Sequence, residues 1–201
     1  MKLSDIESKD LKKDQSEELE GEVTHSILEI LEDEGITVDM LVDSAMALYA
    51  PHPGLETKEL AERRFLEELD IALSDPNLCL LIYSGILLER EGKAGTLPDI
   101  SKSSYEKDLT FIIADEVLGM SISKYISGDK GMFEFVRFDK QKPGILATLG
   151  PFMDDVIGGL IGGVSANMYT RSMAEAAASS KNKNKGKKKG SGKDQGGVIA
   201  G

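Results

Sequence analysis

The strongest structural signal in the chain is the sequence DPNLCLLIYSGILLEREG, residues 75–92. Asp followed by Pro is a typical helix start, because Asp caps free backbone N–H groups and Pro fits the first turn. The residues that follow are apolar on nearly all sides, and a helix of this kind belongs at the centre of a domain. We therefore predict a central helix that begins at Asp75-Pro76 and ends near Glu91-Gly92.

Amphipathic helices are predicted before this stretch. Thr24 is in position to cap a helix over residues 25–34, which Gly35 would close. Thr37 caps a second helix, which ends at the Pro- and Gly-containing segment 51–54. Thr57 caps a third helix that runs to about residue 74, with its apolar residues spaced for one face.

Helices are also predicted after it. Ser103 and Glu106 have capping-box spacing ahead of a helix over Asp115-Glu116 that stops near Gly128. Residues 132–138 are short and apolar, and their type is left open. Pro151 begins a final helix that runs to about residue 178. Since no alternation typical of strands occurs, we predict an all-α protein of about six helices around a buried central helix.

The composition divides the chain into three segments: a disordered leader (1–22), one helical domain (23–178) and a disordered Lys-rich tail (179–201). No apolar run is long enough to span a bilayer, and the N-terminus has no signal-peptide pattern. The single cysteine, Cys79 in an apolar run, allows no disulfide within the chain, which fits a reducing compartment. We therefore expect a cytoplasmic protein, and the sequence leaves its oligomeric state open, a homo-oligomer included.

The charge distribution is strongly asymmetric. The tail holds seven Lys and one Asp, so the other 178 residues carry −17 although the whole chain carries −11. A body this acidic repels nucleic acid, and we expect no nucleic-acid partner. The tail has two interpretations, a solubilising segment or a peripheral contact with an anionic membrane surface.

Three apolar segments contain acidic residues where burial is expected. They are residues 111–120 with Asp115 and Glu116, residues 135–143 with Asp139, and residues 152–159 with Asp154 and Asp155. A buried, unpaired carboxylate costs several kcal/mol, so such groups persist only when they are paired or bound to metal. Upstream of the first segment there is one more acid, seven residues before its Asp and so about two helical turns away, at Asp108.

Glycines follow these acids at helical spacing. Gly119 lies four residues after Asp115, and Gly158 lies four residues after Asp154. A glycine inside a helix costs roughly 0.5–1 kcal/mol relative to Ala, which close packing or room for a ligand must offset. Two interpretations remain: a metal site, or small-residue packing with the acids paired to nearby basic residues.

Carboxylates without Cys or His indicate Mg²⁺, or alternatively Mn²⁺, which bind together with phosphate groups. Arg137, Lys140 and Lys142 would contact the phosphate oxygens or simply neutralise the acids. Three motifs that carry phosphate chemistry in other proteins, Asp-x-Asp, Cys-x5-Arg and Arg-His-Gly, are absent, and so is the P-loop. If a phosphate ester is hydrolysed at these acids, elimination leaves a metal-activated water that attacks phosphorus in line.

In order and spacing, the three acidic segments resemble the phosphatidylglycerophosphatase A family and its soluble relatives. The family pattern is Asp-Glu with a later Gly, then Arg-x-x-Asp-x-x-Lys-Pro, then Asp-Asp followed by small residues. The middle segment differs in one respect, since a single residue separates Arg137 from Asp139. The resemblance covers roughly residues 70–170, and Asp108 matches the acid upstream of the family's Asp-Glu pair.

The resemblance implies a helical Mg²⁺-dependent phosphomonoester hydrolase. The chain looks most like the soluble archaeal branch that acts on α-ribazole-5′-phosphate in cobalamin nucleotide-loop assembly. The alternatives are a phosphatidylglycerophosphate phosphatase and a non-enzymatic metal-binding scaffold. The predicted catalytic residues are Asp115, Glu116, Asp139 and Asp154, the metal ligands are these four with Asp108 and Asp155, and the phosphate- or substrate-binding residues are Arg137, Lys140, Lys142, Gly119 and Gly158.

Overall fold

The computed structural model describes residues 25–108 and 112–190, with side chains described up to residue 181. Within these residues there are seven α-helices, one short 3₁₀ helix and no strand, so the all-α prediction is confirmed. The helices are α1 (Ile27–Asp33), α2 (Val38–Ala47), α3 (Lys58–Leu73), α4 (Pro76–Ala94), α5 (Lys102–Glu106), α6 (Ala114–Gln141) and α7 (Pro151–Gly190), and the 3₁₀ helix is Gly144–Ala147.

The predicted caps of α2, α3 and α4 are confirmed. Thr37 Oγ1 accepts the Met40 N–H at 3.3 Å, and Thr57 Oγ1 accepts the Leu60 N–H at the same distance. Asp75 caps α4 in the same way, through the N–H two residues later. The start of α1 differs from the prediction, because Ser26 is its cap and forms a capping box with the third helical residue. Thr24 lies outside the described residues.

The capping box predicted at Ser103 and Glu106 is wrong. Both residues lie inside the short helix α5, which Ser101 caps. The helix that contains Asp115 is α6, which begins at Ala114 without a side-chain cap. The helix that contains Ser103 and Glu106 is capped instead by Ser101, two residues before Ser103.

A sharp bend divides α6 into two arms. Gly128 has a φ of +61°, outside the helical range, so the chain reverses there, as predicted for the end of the first arm. A Cβ at Gly119 would lie 2.8 Å from Phe135 in the other arm, so the arms pack side by side and antiparallel. Residues 132–138, whose type was left open, belong to the second arm.

The buried central helix is α7, not α4. Ile157, Leu160 and Ile161 of α7 have no exposed area, whereas Leu80 and Leu87 of α4 are 65% and 43% exposed. The reason is that the glycines of α7 carry no side chains, so both arms of α6 approach the backbone of α7 closely. Apolar composition alone does not distinguish a helix covered on one face from a helix covered on all sides.

The last helix is longer than the sequence predicts. Helix α7 extends past the boundary at residue 179 and is helical to Gly190. The leader, residues 1–22, and the end of the tail, residues 191–201, lie outside the described residues. No single helix in the described ranges is long and apolar enough to cross a membrane. Only α3 and α4 taken together across their 91° bend reach that length and composition.

Candidate functional site

The fold gathers the acids of the three segments at one end of the α6–α7 unit. Asp115 and Glu116 lie in the first turn of α6. The bend at Gly128 returns the second arm, so that Asp139 near its end comes back beside them. Asp154 lies in the first turn of α7, which starts at the same end, and Asp155 follows it directly. The site therefore lies where the two ends of the bent helix α6 meet the start of α7.

All of these acids except Asp139 border a cavity of about 220 Å³. Its walls are formed by five carboxylates, one of them from the loop before α6, together with one ammonium group and two isoleucines. The lining residues are Asp108, Ile112, Ile113, Asp115, Glu116, Lys142, Asp154 and Asp155. The volume is sufficient for a phosphate group and its immediate attachments.

A subset of the cluster has the geometry of a cation site. One carboxylate oxygen each from Glu116, Asp139 and Asp155 lies within 4.8 Å of the other two. Asp155 is only 3% exposed, and its buried Oδ1 accepts no hydrogen bond in the described structure. A buried carboxylate with an oxygen that accepts no hydrogen bond, close to two other carboxylates, fits a hard divalent cation, which prefers oxygen ligands. The residues present therefore suit Mg²⁺ or Mn²⁺.

Lys142 is the cation of this cluster. Its Nζ lies 2.5 Å from Asp154 Oδ2, 3.0 Å from Asp139 Oδ1 and 3.7 Å from Asp155 Oδ1. Burial lowers the pKa of Lys142, but its hydrogen bonds to Asp154 and Asp139 outweigh this effect and raise the pKa. The structure thus shows Lys142 neutralising acids, one of its two predicted roles, and its contact with phosphate stays a prediction.

Three acids of the cluster, Asp115, Asp154 and Asp155, have raised pKa values in the absence of a metal. Burial, with the charges of Asp154 and Glu116, raises the pKa of Asp155 to about 8. Burial also raises the pKa of Asp154 to about 6, although Lys142 opposes the shift. The pKa of Asp115 is raised as well, mainly by burial. One lysine is too little positive charge for this many carboxylates, so the cluster favours an additional cation.

Asp108 lies at the rim of the cavity. It is exposed, and its backbone adopts a positive φ of 46°. Its charge contributes to the raised pKa of Asp115 and of Asp154, which places it close to both. It therefore belongs to the electrostatic environment of the cluster, and its role as a metal ligand stays a prediction.

The two predicted glycines do not line the cavity. A Cβ at Gly119 would lie 2.5 Å from the Asp155 carbonyl oxygen, so this glycine is required for close packing of α6 on α7. A Cβ at Gly158 would make an ordinary contact of 3.6 Å with Phe135. The packing interpretation therefore describes Gly119, which acts on the site only by letting Asp155 approach.

Arg137 and Lys140 are not brought to the cluster. Arg137 donates to Glu134 Oε2 at 2.6 Å and to the Leu48 carbonyl at 2.9 Å, beside a separate cavity of about 290 Å³. Lys140 is exposed and does not line the carboxylate cavity. The cause is helical geometry, since Asp139 faces the cluster, Arg137 points about 200° away from it and Lys140 about 100° away.

The cavity also contains two residues that the sequence argument did not select. Ile112 and Ile113 form an apolar wall next to the carboxylates, and Ile113 is 64% exposed. The available signal was an apolar pair immediately before the first acid of α6. An exposed isoleucine beside a charged cavity suggests contact with a nonpolar part of a ligand.

Comparisons with known proteins agree with this arrangement. The family model described as phosphatidylglycerophosphatase A matches residues 41–170, which include every acid of the cluster. An uncharacterized protein of Methanocaldococcus jannaschii is 34% identical over 132 residues, or 64% of this chain and 99% of that protein.

Solved structures give the same fold. A protein of unknown function from Bacillus stearothermophilus is 26% identical with a TM-score of 0.62, covering 77% of this chain and 98% of its own. A low temperature requirement C protein from Listeria monocytogenes has the same TM-score at 22% identity, covering 73% of this chain and 94% of its own. The second likeness concerns the fold alone.

Proposed function

Because the chain belongs to the phosphatidylglycerophosphatase A family, we propose that it is a Mg²⁺-dependent phosphatase that hydrolyses a phosphomonoester at the carboxylate cluster. The observation that supports the metal most directly is that buried Asp155, whose Oδ1 accepts no hydrogen bond, brings a carboxylate oxygen close to those of Glu116 and Asp139. Phosphatase activity is what the family implies. The choice of Mg²⁺ over Mn²⁺ and the substrate are the finer parts of the proposal.

Glu116, Asp139 and Asp155 would hold the cation, and Asp115, Asp154 and Asp108, which line the cavity, would lie around it. When bound, the ion supplies positive charge to the phosphoryl oxygens and acidifies water. Lys142, half-buried and held by Asp154, presents its ammonium group to the cavity and would bind a phosphate oxygen. Asp115 lines the same cavity with a raised pKa, which suits a group that accepts a proton from the attacking water.

The leading substrate is α-ribazole-5′-phosphate, in keeping with the likeness to the soluble archaeal branch. A cavity of about 220 Å³ would enclose the phosphate and leave the rest of the nucleotide at the entrance. The proposal places the enzyme in the cytoplasm, where the free Cys79 stays reduced.

The exposed side chain of Ile113 favours a second candidate, the phosphate of phosphatidylglycerophosphate. In that case the enzyme would reach the lipid peripherally through the Lys-rich tail. Co-sedimentation with anionic liposomes at low salt, with and without residues 179–201, tests this candidate. Absence of binding by the full chain would remove it.

The direct test is phosphate release from α-ribazole-5′-phosphate and from phosphatidylglycerophosphate micelles, each with Mg²⁺ and with EDTA. Metal-dependent release from the soluble substrate alone supports the leading proposal, and release from the lipid alone supports the second. If neither substrate releases phosphate but the protein binds Mg²⁺, the metal site stands and both substrate assignments are wrong; a non-enzymatic metal-binding scaffold would release phosphate from no phosphomonoester.

A further inference from the structure

Glu89 of α4 is a fully buried carboxylate that does not line the carboxylate cavity. An ionised carboxylate costs several kcal/mol to bury unless hydrogen bonds or opposite charges compensate. Glu89 lies on the buried face of α4, in helical register with Ile82 and Ile86. A carboxylate in this position therefore calls for a specific structural reason.

The reason is the N-terminus of α7. Glu89 Oε2 accepts the Phe152 N–H at 3.1 Å. Phe152 is the second residue of α7, and Gly150 is its capping position, because the Gly150 carbonyl accepts the Asp154 N–H at 3.0 Å. Helices usually begin with a Ser, Thr, Asp or Asn whose side chain accepts this N–H. Gly150 has no side chain, so Glu89 supplies from α4 the acceptor that α7 lacks.

Three neighbouring residues, Gly150, Tyr105 and Lys93, lie close to the Glu89 carboxylate. A Cβ at Gly150 would overlap Glu89 Oε1 and would lie 2.9 Å from the Tyr105 hydroxyl. Lys93 Nζ, one turn further along α4, lies 3.2 Å from the same Oε1. Burial, followed by the proximity of Glu89, raises the pKa of Tyr105. The glycine at residue 150 is thus required by the buried carboxylate.

We propose that Glu89 is a positioning residue that fixes the first turn of α7 and thereby holds Asp154 and Asp155 in the geometry that binds the divalent cation. This inference rests on the proposed function. The two aspartates follow Phe152 by two and three residues, so a frayed or shifted helix start would move both carboxylates. Removing groups that orient metal ligands typically weakens metal binding about 10–100-fold.

The test is the affinity of the full chain for Mn²⁺, measured by electron paramagnetic resonance for wild type and variants well below their unfolding temperatures. We expect Glu89→Ala to weaken binding about 10–100-fold. Glu89→Gln keeps an oxygen that accepts the Phe152 N–H, so its affinity should stay within about threefold of wild type. Thr57→Ala is the matched control, because it removes an equivalent cap from α3 and should leave the affinity unchanged.

Gly150→Ala provides a second route if Glu89→Ala does not fold. It keeps the charge of Glu89 but displaces the carboxylate, and the same loss of affinity is expected. Unchanged Mn²⁺ affinity in folded variants at both positions would overturn the inference alone, as would equal losses in Glu89→Gln and Glu89→Ala. A wild type that binds no Mn²⁺ would overturn the proposed function and this inference with it.

Discussion

Gly119 of α6 and Gly159 of α7 meet backbone to backbone. A Cβ built on Gly159 would overlap the Gly119 carbonyl oxygen and would lie 3.0 Å from the Gly119 Cα. This contact lies one turn from Asp115 on one helix and from Asp155 on the other. The distance between the two acidic helix ends is therefore set by two residues without side chains.

We expect Gly119→Ala to destabilise the protein by about 1–3 kcal/mol, because its Cβ would meet the Asp155 backbone and the Phe135 ring. Gly158→Ala is the matched control. Its Cβ would make only ordinary contacts, and Ala in a helix is favoured over Gly by roughly 0.5–1 kcal/mol. Urea denaturation of both variants measures the difference. Equal stabilities would show that the close approach of α6 and α7 is not needed.

Lys142 should be essential for turnover. Lys142→Met removes the only ammonium group lining the described cavity and leaves Asp139 and Asp154 unpaired. We expect kcat/KM for the phosphomonoester to fall at least about 100-fold, since a charged hydrogen bond to phosphate is worth about 1.5–3 kcal/mol and the acids also lose their partner. Steady-state kinetics at saturating Mg²⁺ measure this effect.

The control for Lys142 is Lys124→Met, on the same helix. Lys124 is exposed and pairs with Asp129 on the surface at 3.4 Å, so its removal should leave kcat/KM within about twofold. If Lys142→Met retained full activity, its role would be limited to neutralising the acids of the metal-free protein.

The sequence predicts the parts of this fold that depend on neighbouring residues. The caps Thr37, Thr57 and Asp75 bond to N–H groups two or three residues away, and composition alone makes Asp115 and Asp155 conspicuous. Contacts between distant segments were not predictable in the same way. The acceptor for the start of α7 comes from 63 residues earlier in the chain.

Two errors of interpretation have a common physical origin. Hydrophobicity identified α4 as central, but the close approach of α6 to the glycines of α7 determines which helix is surrounded. Arg137 was grouped with Asp139 by sequence proximity, although a helix points them in opposite directions. The second arm of α6 had to be recognised as helical before that difference could be seen.

The metal-free protein should become less stable as the pH rises. Asp155 ionises near pH 3.8 in an unfolded chain, but its folded pKa is raised to about 8, so folding favours the protonated form. The contribution of Asp155 to stability is therefore fully present below about pH 4 and is lost as the pH rises to about 8. Asp155→Asn cannot ionise, and we expect it to stabilise the metal-free protein at pH 8 by a few kcal/mol.

Urea denaturation in EDTA at pH 5 and pH 8 measures this change in the free energy of unfolding. Asp129→Asn, at an exposed position on α6, controls for the loss of one negative charge and should have little effect. A wild type and an Asp155→Asn variant with equal stability at pH 8 would contradict the raised pKa.

Metal binding should show the opposite pH dependence. A divalent cation requires ionised carboxylates and therefore competes with protons at Asp154 and Asp155, whose pKa values are about 6 and about 8. We expect the affinity for Mg²⁺ to rise by up to about tenfold per pH unit between pH 6 and pH 8, with release of about one proton at pH 7. Calorimetry in buffers of different ionisation enthalpy measures both quantities.

Asp129→Asn should reproduce the wild-type slope, because Asp129 is exposed and remote from the cluster. An affinity that does not change with pH would mean that the acids are already ionised before the metal arrives, and that Lys142 neutralises them more completely than its three contacts indicate.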